Sequence, residues 1–369
     1  MTKLPTDIPT IKMSEAIPLI IAMYKAGIRN FFLHGGMGCG KTSLAQQIAD
    51  AMAAEYATKV PCIIWRAGQK SLVDGTGVPV ANRETKRTQF YVPDAADLPN
   101  EERDGPLGVW CLDELNSLIK QLQGPAFGMV EDRVMGETQF PKEWLILATG
   151  NRVTDNGVAN NLAAPFNDRF AHFNIEPDVA SVTAYAHAIN LPNAEIVCKF
   201  LEFRQALLFC MPDNDAVDES KDWRVHIEKN ARAFPTPRSH FKAAPLWSLP
   251  QGIRETAIAS KLGLVCAAEI ENFLAVFQHI PSVKEVVADP ENCRLPDQQQ
   301  ANAGARFAVV MMLANAATVA NIEALRTYAA RMGREFEAML FADAGRRDPA
   351  ILEAGSYVET INTKAKGIL

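Results

Sequence analysis

Residues Gly35-Gly36-Met37-Gly38-Cys39-Gly40-Lys41-Thr42 fit the spacing G-x-x-x-x-G-K-[ST]. Glycines at these positions allow a tight turn whose backbone N–H groups converge on phosphate oxygens. A helix opening at the end of the turn adds a favourable potential for an anion. Lys41 then has the charge and reach for β- and γ-phosphates, Thr42 is a Mg²⁺ ligand, and Ser43 ends the cradle. The ligand implied is a nucleoside triphosphate with Mg²⁺, taken as ATP, although no motif here selects adenine over guanine.

A second cluster follows at Val109-Trp110-Cys111-Leu112-Asp113-Glu114, an apolar run closed by two carboxylates. A buried parallel strand would deliver both to its C-terminal edge, where ligands bind in open α/β sheets. Asp113 then holds Mg²⁺, usually through water, and Glu114 polarises the attacking water. A carboxylate directly after the metal-binding Asp favours hydrolysis over transfer to an acceptor, because most P-loop kinases use the acceptor where a hydrolase uses water.

The elements that must position these groups are legible as pattern. SEAIPLIIAMYKAG has helical spacing, NFFLH reads as a short buried strand, and KTSLAQQIADAMAAEY resumes as a helix after the glycine run. PCIIWR, GVWCLD, WLILAT and FAHFNI are further strand-like runs. A polar, turn-rich stretch spans 67–104 and a helix is expected from Asn116 to about Glu131. Short apolar runs alternating with helices predict an α/β domain with a mainly parallel sheet over 1–177. Beyond Pro177 helical pattern takes over. The expectation is an α-helical lid over 178–250, containing the proline-punctuated connector FPTPRSHFKAAPLWSLP, and a helical C-terminal extension over 251–369. ARFAVVMMLANAATVANIEAL reads there as a core helix whose Met pair serves packing.

GPLGVWCLDELN, EDRVMGE, LILATGNRVTDNG, APFNDRF and TPRSH, in this order and spacing across about 15–245, resemble the MoxR and dynein-related branch of the AAA+ ATPases. The resemblance implies an AAA+ P-loop core with a helical lid. It gives Asn151 the role of sensor 1, orienting the attacking water beside Glu114. Arg169 becomes an arginine finger that enters a neighbouring subunit's site, so that hydrolysis requires assembly. Arg238 becomes sensor 2, a lid cation on the γ-phosphate of its own subunit. Arg152 fits a second trans contact or a solvated turn equally well. The turn Arg133-Val134-Met135-Gly136-Glu137 resembles a pore-facing hairpin where a client would be gripped, and Asp74-Gly75-Thr76-Gly77 opens another insertion of the branch.

The function this implies is a homo-oligomeric ring, a hexamer by resemblance, that spends ATP on remodelling a partner protein. Such partners commonly carry a von Willebrand factor A-like domain. The alternative is a nucleic-acid-associated motor or nucleotide-gated DNA-binding protein. No basic run supports it, and the net charge of −6 argues weakly against it. A small-molecule kinase on the same loop would leave Asn151 and Arg169 without roles. With 48% hydrophobic residues and no apolar stretch of about 18 residues, a membrane span is not expected. MTKLPTDIPTIKM lacks the pattern of a secretory signal, so the expected compartment is the cytoplasm. The seven cysteines are scattered without a CxxC pair and read as buried, reduced thiols.

Overall fold

The computed structural model describes residues 8–91, 98–135, 138–151, 164–210, 231–276, 281–296 and 303–353. Among these, the chain falls into two compact units, 8–181 and 182–353.

The first unit contains strands β1 (Thr10–Lys12), β2 (Asn30–His34), β3 (Cys62–Arg66), β4 (Val78–Asn82), β5 (Arg87–Tyr91), β6 (Val109–Asp113), β7 (Val134–Met135), β8 (Thr138–Gln139), β9 (Leu145–Gly150) and β10 (Ala171–Glu176). Six of them form one sheet in the order β1-β10-β2-β9-β6-β3, and every neighbouring pair is parallel. A sheet covered on both faces needs near-continuous apolar strands rather than alternating ones. Phe31, Phe32 and Leu33 of β2 and all six residues of β9 are buried accordingly.

Helices α1 (Met13–Lys25) and α2 (Lys41–Tyr56) cover one face. Leu44, Ala45, Ile48, Ala49 and Met52 form the apolar stripe of α2 and pack with Phe31, Leu33, Cys111 and Leu147. The opposite face, through Phe32, Trp65, Trp110, Leu112 and Ile146, packs against Leu122, Ala126, Met129 and Val130. These four belong to α5 (Lys120–Glu131), which follows the short helices α3 (Leu72–Thr76) and α4 (Glu101–Asp104). The stretch over 67–104 is therefore more structured than its composition indicates, with α3, the β4–β5 hairpin and α4 in place of a loop.

The helix expected from Asn116 starts later. Leu115–Ser117 is a 3-10 turn closed by Ser117, whose N–H and Oγ both donate to the Glu114 carbonyl at 2.8 and 2.6 Å. Leu118 then takes an extended ψ of 132°, which ends the turn before α5 begins.

The first unit closes with α6 (Ala164–Asn167) and β10, and α7 (Val179–Ala188) begins in it. The second unit is helical among the described residues: α8 (Ala194–Phe203), α9 (Pro237–Ala243), α10 (Gln251–Leu262), α11 (Leu264–Val276), α12 (Val283–Ala288), α13 (Ala303–Asn315), α14 (Ile322–Met332) and α15 (Arg334–Arg347). Phe200 anchors its core, edge-on to Trp247 and Phe273.

The expected single helix over ARFAVVMMLANAATVANIEAL is two. Asn315 turns its amide to the carbonyls of Glu202 and Phe203, and Asn321 bonds Thr318 N–H and the Ala316 carbonyl. Side-chain amides thus take over where the helix ladder stops between α13 and α14. Met312 is fully buried there, as packing requires.

The proline-punctuated connector also differs from expectation, because it contains α9. Thr236 Oγ1 accepts from Ser239 N–H and Ser239 Oγ accepts from Thr236 N–H, with Pro237 at the first helical position. That is a capping box with the preferred proline placement. No described helix is long and apolar enough to cross a membrane.

Candidate nucleotide site

The loop Gly35–Gly40 leads from the C-terminal end of β2, a central strand, into α2. Gly40 sits at φ +110°, a left-handed conformation that favours glycine, and it starts α2 at Lys41. At Gly35 a Cβ would stand 3.0 Å from the Ile175 carbonyl and 3.3 Å from Cys39 Sγ, so a side chain there would crowd both neighbours. Cys39 is buried and packs inside the loop, whereas Met37 is exposed at its crest. The Gly35 N–H donates to the Gly150 carbonyl at 3.3 Å, which ties the loop to the end of β9.

Lys41 is buried, at 8% exposure, and its ammonium donates to the carbonyls of Gly35 at 2.6 Å and Gly36 at 2.9 Å. It also reaches Asn151 Oδ1 at 3.2 Å. The sensor-1 candidate is therefore beside the loop's cation. Asn116 secures it by donating from Nδ2 to the Asn151 carbonyl at 2.9 Å.

Thr42 and Asp113, the two candidate metal ligands, are in direct contact: Thr42 Oγ1 donates to Asp113 Oδ1 at 2.8 Å. Thr149 Oγ1 donates to the same oxygen at 2.7 Å and accepts the Glu114 N–H at 3.1 Å. Fully buried Thr149 thus holds both carboxylate residues by one hydroxyl. Glu114 has φ 55°, a left-handed backbone uncommon outside glycine, and its side chain is exposed at the end of β6. Ser43, half-buried one residue beyond Thr42, completes the first turn of α2.

This donor set fits a nucleoside triphosphate with Mg²⁺. A glycine-rich loop leaves its backbone to approach phosphate, a buried ammonium supplies charge, and a hydroxyl and a carboxylate in contact are hard oxygen ligands for Mg²⁺.

Arg169 lies at the other edge of the sheet, just before β10 begins at Ala171. Its Nε is 3.2 Å from Glu131 Oε2, and its guanidinium lies over the Phe127 ring, 5.6 Å from the centroid. Four residue steps of β2, at ~3.3 Å each or about 13 Å, separate that edge from the phosphate loop. A cleft of about 730 Å³ opens there, lined by Arg29, Asn30, Glu131, Arg133 and Arg169 among others.

Arg133 does not face outward as a client-gripping residue would. It is buried, at 8% exposure, and donates from Nη2 to Asn30 Oδ1 at 2.9 Å. Burial, with Arg29 nearby, pulls its guanidinium down to about 10. The β7–β8 hairpin that follows is present, and its tip, Gly136 and Glu137, lies outside the described residues, as does Arg152. Arg238 belongs to the second unit, exposed in the first turn of α9.

Thr149 and Asn116 were not candidates from the sequence. A polar pair at the ends of LILATGN and LDELN was the available signal, because a polar residue in an otherwise apolar strand end must find a partner.

A parallel sheet with this strand order, a glycine-rich loop from β2 into α2, and a carboxylate pair at the end of β6 define the class: an α/β fold with a P-loop core, followed by a region that is helical among the described residues. No protein-family model matches the chain. No curated protein matches it either.

Solved structures do match. The Thermotoga maritima RuvB Holliday junction branch migration motor is 15% identical with a TM-score of 0.32, over 72% of this chain and 69% of that one. The Saccharomyces cerevisiae Hsp104–ADP complex is 15% identical with a TM-score of 0.37, over 52% of this chain and 41% of that one. A putative ATPase from Cytophaga hutchinsonii is 15% identical with a TM-score of 0.33, over 54% and 64%. The chain spans about two fifths of the Hsp104 chain it matches.

Proposed function

We propose that this protein is a Mg²⁺-dependent ATPase of the MoxR-like AAA+ branch, acting as a homo-oligomeric ring that remodels a partner protein in the cytoplasm. The hexameric count and a partner with a von Willebrand factor A-like domain come from the sequence resemblance. The observation that carries the reading is the separation of Arg169 from its own phosphate loop, at opposite edges of one parallel sheet. An arginine so placed is far from its own phosphate loop, which supports a role at a neighbour's nucleotide.

In this reading the N–H groups of Gly35–Ser43 and Lys41 bind the phosphates, and Thr42 and Asp113 hold the metal. When bound there, Mg²⁺ would supply positive charge against the phosphates. Glu114 accepts a proton from the attacking water as its oxygen bonds to the γ-phosphorus and ADP departs. Asn151 orients that water. Arg169 of the adjacent subunit balances charge on the γ-phosphoryl oxygens, and Arg238, from the lid over 178–250, does so in its own subunit. The extension over 251–369 is left to partner choice.

The test is phosphate release by Glu114→Gln, by Arg169→Ala, and by their mixture under assembling conditions. Each single variant should lose about 10³-fold or more. The mixture should recover turnover, because a subunit that keeps Glu114 then meets a neighbour that keeps Arg169. Full activity of Arg169→Ala alone would refute the trans role. A strictly monomeric protein with full turnover across concentration would refute the ring.

A further inference from the structure

Asn30, the first residue of β2, makes three side-chain hydrogen bonds, one of them to the Arg169 carbonyl. Its Nδ2 donates to the Val130 carbonyl at 3.2 Å and to the Arg169 carbonyl at 3.3 Å. Its Oδ1 accepts from Arg133 Nη2 at 2.9 Å. Only one orientation of the amide satisfies this set, because a guanidinium only donates and a carbonyl only accepts. Buried Arg133 therefore fixes which way Asn30 points, through a charge-assisted bond stronger than a neutral one.

The two carbonyls belong to the segments that carry Arg169 and its ion-pair partner. Val130 directly precedes Glu131, which is 3.2 Å from Arg169 Nε. Asn30 thus ties the end of α5 to Arg169, two residues before β10, and fixes both to β2. Glu131 itself is largely exposed, at 57%, so its pairing with Arg169 is weak as an anchor. The backbone clamp is the stronger constraint on where the guanidinium starts.

We propose that Asn30 is a positioning residue for Arg169: it sets the backbone from which the guanidinium reaches a neighbouring copy's nucleotide, and Arg133 keeps it oriented. The inference rests on the trans reading of Arg169 above. Asn30 touches no nucleotide in it and acts only through the arginine.

The experiment measures phosphate release and binding of a fluorescent ATP analogue for Asn30→Ala and Asn30→Asp in the full chain. Each variant is then mixed with Glu114→Gln, and Arg169→Ala mixed with Glu114→Gln runs in parallel. Asp keeps the acceptor for Arg133 and removes both donors, so it supplies a second variant should Ala compromise folding.

The expected result is a loss in kcat of tenfold or more for each Asn30 variant, with analogue affinity within twofold of wild type. Mixing should restore turnover to the level reached with Arg169→Ala. Recovery for Arg169→Ala but not for the Asn30 variants overturns the role of Asn30 and leaves the trans reading standing. No recovery for either overturns both. An Asn30 variant with wild-type kcat, or one that loses analogue affinity, also overturns the proposal.

Discussion

Replacing Thr149 with Val keeps the shape of a fully buried side chain and deletes one hydroxyl. That hydroxyl donates to Asp113 Oδ1 at 2.7 Å and accepts the Glu114 N–H at 3.1 Å. A hydrogen bond to a charged group contributes about 1.5–3 kcal/mol, and leaving the N–H without its acceptor costs about 1 kcal/mol more. The first unit should lose roughly 2–4 kcal/mol, which for a domain of its size lowers Tm by about 5–10 °C. Thr149→Ser keeps the hydroxyl and removes one buried methyl, so its loss should be about 1 kcal/mol.

The functional effect follows from Thr42, which shares the same oxygen of Asp113 at 2.8 Å. Once the Thr42 hydroxyl is committed to a metal, Thr149 is the remaining hydroxyl on that oxygen. The Mg²⁺ concentration for half-maximal phosphate release should therefore rise about tenfold in Thr149→Val and stay within twofold in Thr149→Ser. Scanning calorimetry and a Mg²⁺ titration of turnover read the two effects. If Val and Ser variants melt within 1 °C of each other (about 0.3–0.5 kcal/mol at this size) and share one Mg²⁺ requirement, the hydroxyl is not what holds the carboxylates.

Gly35→Ala should leave the fold intact and cut affinity for an ATP analogue at least tenfold, since its Cβ would meet the Ile175 carbonyl at 3.0 Å and Cys39 Sγ at 3.3 Å. Equal affinity by fluorescence titration would mean the loop yields at no cost. Buried His240 donates from Nε2 to the Leu207 carbonyl, 2.7 Å away, since a carbonyl only accepts and that nitrogen must carry the proton. Burial holds its pKa down to about 4 from 6.5, so the unfolded chain binds more protons between those values. Stability should be complete above pH 6.5 and fall by about 3 kcal/mol on acidification towards pH 4. Urea midpoints for His240→Gln should lose most of that slope; an unchanged slope would assign the acid limb to other groups.

The loop, α2 and the carboxylate strand were legible because each is written locally. Glycine spacing, a strand before it and a helix after it lie within consecutive residues, and a strand buried on both faces spells itself as VWCL or LILA. The contacts that make the site coherent are not local. Thr149 meets Asp113 across 36 residues and Asn116 meets Asn151 across 35, through strand order that pattern does not encode. The turn at Arg133 stayed open between a pore-facing and an ordinary hairpin because a basic residue before a hairpin has the same spelling in both, and the structure turns Arg133 itself inward to Asn30. Two misses had local signals. T-P-x-S before HFKA is a helix start, and paired asparagines in LANAATVANI mark a stop that the surrounding alanine and valine hide.

Parallel topology is what separates the parts. In the sheet order β1-β10-β2-β9-β6-β3 every strand enters at one edge and leaves at the other. Lys41, Thr42, Asp113, Glu114 and Asn151 all follow strand exits, whereas Asn30 and Arg169 stand at strand entrances. An antiparallel sheet would return some entrances to the exit edge; this parallel sheet holds Asn30 and Arg169 about a strand's length from the exit-side residues. Strand β2 is the element common to both groups, since it starts with the amide that clamps the Arg169 carbonyl and ends at the phosphate loop. A displacement of β2 along its own axis would therefore move the nucleotide cradle and the arginine's anchor together. In the proposed ring, such a displacement would couple one subunit's nucleotide to the arginine it offers the next subunit.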